Sequence, residues 1–439
     1  MNLQKLFPQH TTINSKNHLE IAGCDVVGLA REYGTPLYIY DDEHLRVRAR
    51  ETREAFQSRW KNSLVLYATK AYFSPYLAHI YKEAGLGIDV TAEGEMEIAR
   101  RADFPCDQIY VHGNNKTPAE IRTAFAMGVT HIIVDNLDEI ELLYRIATEM
   151  NVSPKLLLRL APAIDPHTHR HMATGIAESK FGLPIATGDA LKAARRVKNY
   201  APRLSLVGMH VHIGSQVFEL EPYRDAIKVV LDFANELKRE IGFELQELDL
   251  GGGWGVSYTG TEENLLPSTI ASTLIDVLEK EFQIPNSKFQ ILVEPGRSLV
   301  AQSGVAVYTV GSIKEIKNIK TYVSVDGGMG DNVRPSLYGA QYTAFVANKM
   351  NDAPTHHVAI AGRYCEQGDI LINDVALPSV NAGDLIAVPF AGAYQIPMSS
   401  NYNSMLRPAV LAVRDGEARV IRRRETIDDL LRCEYQFDG

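Results

Sequence analysis

The sequence predicts an α/β protein: a (β/α)₈ barrel of the TIM type, followed by an antiparallel β domain in the form of a β-barrel or sandwich. Three observations predict it. Between about residues 36 and 300, eight short apolar runs alternate with amphipathic stretches. After Glu294-Pro295-Gly296-Arg297 the texture changes to short β-rich segments broken by Gly, Asp, Asn and Pro. The chain, 439 residues with 45% hydrophobic content, is long enough for more than one core.

The apolar runs are Leu64–Tyr67, Gly87–Val90, Gln108–Val111, His131–Val134, Lys155–Leu160, Leu206–Val211, Glu247–Leu250 and Gln290–Val293. Each has the length of a buried strand. Helix-like segments lie between them: Asp42–Gln57, Thr117–Met127, Asp138–Glu149, Pro222–Glu240 and Thr269–Phe282. Strands that alternate with helices form parallel sheets, and eight of them over about 250 residues fit a closed barrel. Residues 36–300 are therefore expected to be the barrel and 301–439 the β domain. The β domain takes Gly304–Ile313, Thr321–Val325, His356–Ala361, Leu385–Pro389, Ala409–Arg414 and Ala418–Arg422. Residues 1–35, with Leu19–Val26, are expected to join the β domain and to add a strand to it.

Charge excludes some functions. Lys and Arg total 45 against 54 Asp and Glu, a net charge of -9, which argues against nucleic acid or an anionic membrane as the main partner. The apolar runs are too short to span a bilayer. The N-terminus has no apolar stretch of signal-peptide type. Four scattered cysteines, with no CxxC pair, fit a reducing cytoplasm and make a zinc site unexpected. The run Pro166-His167-Thr168-His169-Arg170-His171 has spacing that can bind a metal, but no carboxylate or cysteine completes the set. No metal is expected.

Chemistry is sought at the C-terminal ends of the strands, the catalytic face of such barrels. Lys70 closes Tyr67-Ala68-Thr69-Lys70-Ala71 at the end of the first barrel strand. A lysine there forms a Schiff base when its amine is kept partly neutral; otherwise it is a surface lysine at a strand end. Gly251-Gly252-Gly253 and Gly296-Arg297 follow the seventh and eighth strands, where backbone N–H groups can approach a phosphate. Tight turns need glycine too. Glu294, beside the second cluster, can pair with a protonated ring nitrogen or simply with a cation of the barrel rim. His210 and His212 share a face at period 2, so one can stack on an aromatic cofactor. Cys365-Glu366-Gln367-Gly368-Asp369 occupies a glycine-flanked loop of the β domain, and Cys365 is either a proton donor or an inert thiol.

Taken in order along the chain, these residues resemble the fold-type III pyridoxal-phosphate-dependent decarboxylases, and within them the diaminopimelate decarboxylases. The resemblance runs from Tyr33-Gly34-Thr35-Pro36 to Arg407-Pro408. It is carried by Tyr67-Ala68-Thr69-Lys70-Ala71, His112-Gly113-Asn114-Asn115-Lys116, Ser179-Lys180-Phe181-Gly182 and His212-Ile213-Gly214-Ser215-Gln216. Gly251–Gly253, Glu294–Arg297, Cys365-Glu366, Gly392-Ala393-Tyr394 and Asn401-Tyr402-Asn403 complete it.

The resemblance implies the cofactor, pyridoxal 5′-phosphate, and a role for each matching residue. Lys70 holds the cofactor, His212 stacks on its ring, Glu294 meets the pyridine nitrogen, and Asp89 lines the site. Ser215, Gly252, Gly253, Gly296, Arg297 and Tyr394 surround the phosphate. Arg297, Arg334 and Tyr338, with Tyr394, bind the distal carboxylate of the substrate. Glu366 meets the distal amino group, and Cys365 supplies the proton after carbon dioxide leaves. The implied reaction turns meso-2,6-diaminopimelate into L-lysine, the last step of lysine biosynthesis, in a homodimer whose sites are shared between chains. The sequence departs from the family at Gln367, where Ser is usual, and at Ala92, where Ser often precedes the acidic turn.

Ornithine and arginine decarboxylases share this scaffold, as does a decarboxylase of a modified amino acid. The first two act on substrates without a second carboxylate, and Asn332-Val333-Arg334-Pro335-Ser336-Leu337-Tyr338 offers a cation and a phenol suited to one. A non-catalytic cofactor carrier would need neither Cys365 nor Arg334.

Overall fold

All eight apolar runs form strands: β1 Ser63–Ala68, β2 Gly87–Val90, β3 Ile109–Val111, β4 His131–Val134, β5 Lys155–Ala161, β6 Ser205–Val211, β7 Glu247–Asp249 and β8 Gln290–Val293. The computed structural model describes residues 3–164, 179–286 and 288–435. His167, His169 and His171 lie outside the described residues. Strand pairing is parallel throughout and runs β1 to β8 in order, β8 pairing with β1, so the sheet closes into a barrel. A short strand, Leu183–Pro184, adds to β5.

The barrel strands are buried on both faces, because helices cover the outside and side chains fill the inside. Every residue of β2, β3, β4 and β7 is buried. Leu66, Tyr110, Ile133, Leu157, Val207 and Leu292, one each from β1, β3, β4, β5, β6 and β8, form one apolar cluster. Several barrel helices start where a side chain satisfies one of their first N–H groups. Thr117 and Glu120 form a capping box ahead of Pro118–Ala126, and Ser74 caps Pro75–Glu83; both helices place proline in the first turn.

The chain divides into two units. The barrel unit comprises residues 46–256 and 264–298; the other comprises 1–45, 257–263 and 299–439. The N-terminal segment belongs to the second unit, though not through a strand from residues 1–35. Thr11–Ile13, Leu19–Ile21 and Cys24–Asp25 make a separate three-stranded sheet. What ties the segment in is packing: Phe7, Leu19, Ile21 and Val26 share a core with Val305, Val307, Leu411 and Val413. The strand that the N-terminal region does donate is Leu37–Asp41, just past the expected boundary at 35/36. It lies between Gly304–Ile316 and Ala409–Arg414.

The large sheet of this unit is mixed. Most pairings are antiparallel, as expected. Two are parallel: Ala409–Arg414 with Leu37–Asp41, and His356–Ala361 with Lys320–Val325. A residue slips out of register between Val310 and Ser312, where the long strand Gly304–Ile316 passes from one set of partners to the next.

Candidate active site

The barrel gathers its candidate functional residues at the C-terminal ends of its strands. Lys70 follows β1, Asp89 lies in β2, His112 follows β3, His210 lies in β6 with His212 just after it, Asp249 ends β7, and Glu294 follows β8. Strand register puts Ala68 opposite Asp89, which brings the Lys70 turn beside that carboxylate. Lys70 Nζ stands 3.7 Å from Asp89 Oδ2. Burial pushes the Asp89 carboxyl up to about 6, against the pull of Lys70.

At the centre lies Glu294, buried, with an imidazole on each oxygen. His112 Nε2 is 2.6 Å from Oε1 and His210 Nε2 is 3.1 Å from Oε2. Burial favours a protonated Glu294, but the two imidazoles outweigh it and hold its carboxyl well below the usual range. Burial and the neighbouring Glu294 push the Asp249 carboxyl well above the usual range, so one acid of the pair is charged and the other neutral. Burial lowers His210 to about 4, and burial with the charge of Lys70 puts His212 well below its ordinary value. His112, His210, Asp249 and Glu294 offer ligand atoms within 4.8 Å of one another, a spacing that suits a metal ion. The hydrogen bond between His210 and Glu294 and the close charge contact of His112 with the same carboxylate account for this closeness without one.

Glycine after β7 and β8 is required by packing in the barrel itself. A Cβ on Gly252 would lie 2.0 Å from the Glu294 carbonyl oxygen, and one on Gly253 1.8 Å from that of Gly214. Gly253 also has φ +97°, and a Cβ on Gly296 would press on Ala68. The glycines alone therefore say little about phosphate. The cation beside them says more: buried Arg297 donates from Nη2 to Ser215 Oγ at 3.1 Å. His212 Nδ1 accepts from Gly252 N at 3.3 Å, which ties the β6 end to the glycine turn.

The second unit carries the other sequence-predicted residues. Arg334 opens the short helix Arg334–Tyr338 and is only 3% exposed. The rings of Tyr258, Tyr338 and Tyr394 lie 5.5, 5.6 and 5.7 Å from its guanidinium carbon. Tyr394 has φ +61°, a backbone conformation that tertiary packing must enforce. Among the described residues no carboxylate pairs with Arg334, and its one hydrogen bond is to Tyr342 Oη. Cys365, Glu366 and Gln367 are exposed in the loop after His356–Ala361. Asn403 Oδ1 accepts from Cys365 N at 2.9 Å, and Tyr402 Oη donates to Glu366 Oε1. Ser336 Oγ donates to Gly368 O at 2.8 Å, joining this loop to the Arg334 helix.

Sequence reasoning missed His112 and Asp249 as site members, and Tyr258 and Tyr342 around Arg334. His112 directly follows a barrel strand and Asp249 ends one, so applying the strand-end rule to all eight strands would have found them. The tyrosines sit in loops, and no spacing marks them.

The donor set in the barrel fits one kind of ligand. A carboxylate kept ionised suits a basic ring nitrogen, a lysine at the next strand end suits an aldehyde, and a buried arginine with a serine suits a phosphate. Such a barrel and site define a class, the pyridoxal-dependent decarboxylases, and the family model described as "Pyridoxal-dependent decarboxylase, pyridoxal binding domain" matches residues 43–301. The chain is 41% identical over 429 residues to a diaminopimelate decarboxylase of Bacillus subtilis, covering 97% of each. It is 41% identical to that of Corynebacterium efficiens, covering 98% of this chain and 94% of the relative. A solved diaminopimelate decarboxylase from M. jannaschii, in complex with L-lysine, superposes with a TM-score of 0.91 at 31% identity, covering 98% of this chain and 99% of that one. The chain belongs to the diaminopimelate decarboxylase family.

Proposed function

We propose that this protein uses pyridoxal 5′-phosphate to remove carbon dioxide from meso-2,6-diaminopimelate, leaving L-lysine. One observation carries the choice of substrate. Arg334 is a buried cation ringed by phenols, with no carboxylate partner among the described residues. A buried charge is costly unless paired, so the site calls for an anion. Diaminopimelate keeps a carboxylate at the end that does not react; ornithine and arginine have none there.

Bound cofactor supplies an electron sink for the charge left on carbon when carbon dioxide departs. Lys70 is its covalent anchor in this reading. Glu294, held anionic, keeps a proton at the pyridine nitrogen, and neutral His212 can stack on the ring because it carries no charge. Arg297 and Ser215 hold the phosphate with the N–H groups of the glycine turns and with Tyr394, and Asp89 lines the site. Arg334 and Tyr338, joined by Arg297 and Tyr394, fix the distal carboxylate. Glu366 faces the distal ammonium group, and Cys365 Sγ delivers the proton that replaces carbon dioxide.

We further propose a homodimer in which the Cys365 loop of one copy completes the barrel site of the other. The exposure of Cys365 and Glu366 supports this reading, since a proton donor must be shielded from water to act selectively. The cytoplasm is the proposed location. All four cysteines are free, and no helix of the described residues is long and apolar enough to cross a membrane.

Measuring carbon dioxide release from diaminopimelate, ornithine, arginine and lysine tests the proposal. Diaminopimelate should be the one substrate turned over well. Comparable turnover of ornithine or arginine would overturn the substrate assignment. Lys70→Ala should also abolish the yellow colour and the borohydride-stable labelling of the purified protein.

A further inference from the structure

Tyr342 has no role in the reading above, yet it forms the one hydrogen bond that Arg334 makes among the described residues. Arg334 Nε donates to Tyr342 Oη at 3.0 Å, and both side chains are buried. A guanidinium offers a carboxylate two paired edges: Nη1 with Nη2, or Nε with Nη. Tyr342 occupies Nε. Only the Nη1–Nη2 edge then remains for a two-pronged contact.

Tyr342 is itself fixed. Its ring lies 4.8 Å from that of Tyr258, which also stands over the Arg334 guanidinium. Tyr258 packs edge-on against Phe390 at 5.8 Å. Phe390 is fully buried and has φ +55°, a conformation that packing must enforce in a residue other than glycine. A packed series of rings, Phe390, Tyr258 and Tyr342, thus ends on one nitrogen of one arginine.

We propose that Tyr342 is a positioning residue for substrate specificity: by holding Arg334 Nε it sets the guanidinium edge that receives the distal carboxylate. The inference rests on the reading of Arg334 as the carboxylate-binding residue. Removing the hydroxyl leaves a buried N–H without its acceptor and frees the guanidinium to rotate. Ligands that carry the distal carboxylate should lose affinity, and ligands that lack it should not.

The test uses holoenzyme and two ligands that differ in that one group. L-Lysine keeps the carboxylate, and cadaverine is the same diamine without it. In Tyr342→Phe, KM for diaminopimelate and Kd for L-lysine should each rise about tenfold. Turnover number should stay within about twofold, and Kd for cadaverine should not change. A parallel Arg334→Ala should abolish the preference for lysine over cadaverine. If it does, and Tyr342→Phe leaves KM and the lysine Kd as in wild type, the inference about Tyr342 fails alone. Equal loss of lysine and cadaverine binding in Tyr342→Phe overturns it too, since that marks a general structural role. If Arg334→Ala leaves the lysine preference intact, the reading of Arg334 fails and takes this inference with it.

Discussion

His112 and Glu294 meet through a 2.6 Å contact between Nε2 and Oε1, with both side chains buried. That contact, doubled by His210 on the other oxygen, decides which of two neighbouring acids is charged. Without the imidazoles, burial would favour a proton on Glu294, as it does on Asp249. His112→Leu should therefore raise the pKa of Glu294. The anionic form would then be lost at a higher pH than in wild type. The acid limb of the pH profile of kcat/KM should move toward neutrality in His112→Leu, while activity at pH 8 falls less. A limb that does not move would show that Glu294 is not governed by His112. Glu294→Gln removes the charge at every pH; losing such a charge-assisted bond should cost about 2–3 kcal/mol, roughly 30- to 150-fold in kcat/KM.

Gly253 gives a sharper stability test than its neighbours. Its φ of +97° and the 1.8 Å approach of an added methyl group to the Gly214 oxygen leave no room for alanine. Gly253→Ala should push the turns after β6 and β7 apart, lower the melting temperature and loosen retention of the cofactor during dialysis. Gly94 is the control. It lies in the helix Glu93–Arg101 with nothing within 4 Å of an added methyl, so Gly94→Ala should hold or raise stability by up to about 1 kcal/mol. Equal behaviour of the two variants would refute the packing argument.

Much of the barrel was legible in the sequence, and the reason is physical. A strand buried on both faces must be apolar throughout, so Gly87–Val90 and His131–Val134 stand out by composition alone. Boundaries were less legible. Leu37–Asp41 is as apolar as a barrel strand, and only its pairing with Gly304–Ile316 and Ala409–Arg414 assigns it to the other unit. The parallel pairings in that unit were invisible because local pattern carries strand existence but not strand direction. Among the candidate site residues, Lys70 and Glu294 stand just past strand ends, a position readable from the sequence. Tyr342 did not, since its role depends on a loop folding back onto Arg334.

Asp331 predicts a pH dependence in the second unit. Its Oδ2 accepts from Tyr308 Oη at 2.8 Å, its Oδ1 accepts from Gly328 N at 3.1 Å, and burial pushes its carboxyl up to about 7. Between its unfolded value near 3.8 and about 7, the folded chain holds a proton that the unfolded chain has released. Stability from this group is thus fully present below the unfolded value and is lost as pH rises through 7. The loss should amount to a few kcal/mol, at about 1.4 kcal/mol per pH unit. Asp331→Asn has no proton to lose. Its melting temperature relative to wild type should climb between pH 5 and pH 8. A constant difference across that range would remove Asp331 as the titrating group.

The proposed exchange of loops between subunits can be tested by mixing two dead enzymes. Lys70→Ala lacks the anchor in the barrel, and Cys365→Ala lacks the proton donor in the loop. In a two-fold dimer with shared sites, each site takes its barrel from one chain and its loop from the other. A heterodimer of the two variants then contains one site with both losses and one with both native residues. Random exchange of equal amounts makes about half of all dimers heterodimers, each with one working site of two, so activity should recover to roughly a quarter of wild type. Self-contained sites predict no recovery, because every site would carry one loss. The exposed position of Cys365 and Glu366, and the anchoring of their loop by Asn403 and Tyr402, favour a loop held ready for another chain. Differently tagged variants allow the heterodimer to be purified and counted. If tagged heterodimers form and their activity stays at the level of the parent variants, the shared-site reading is wrong.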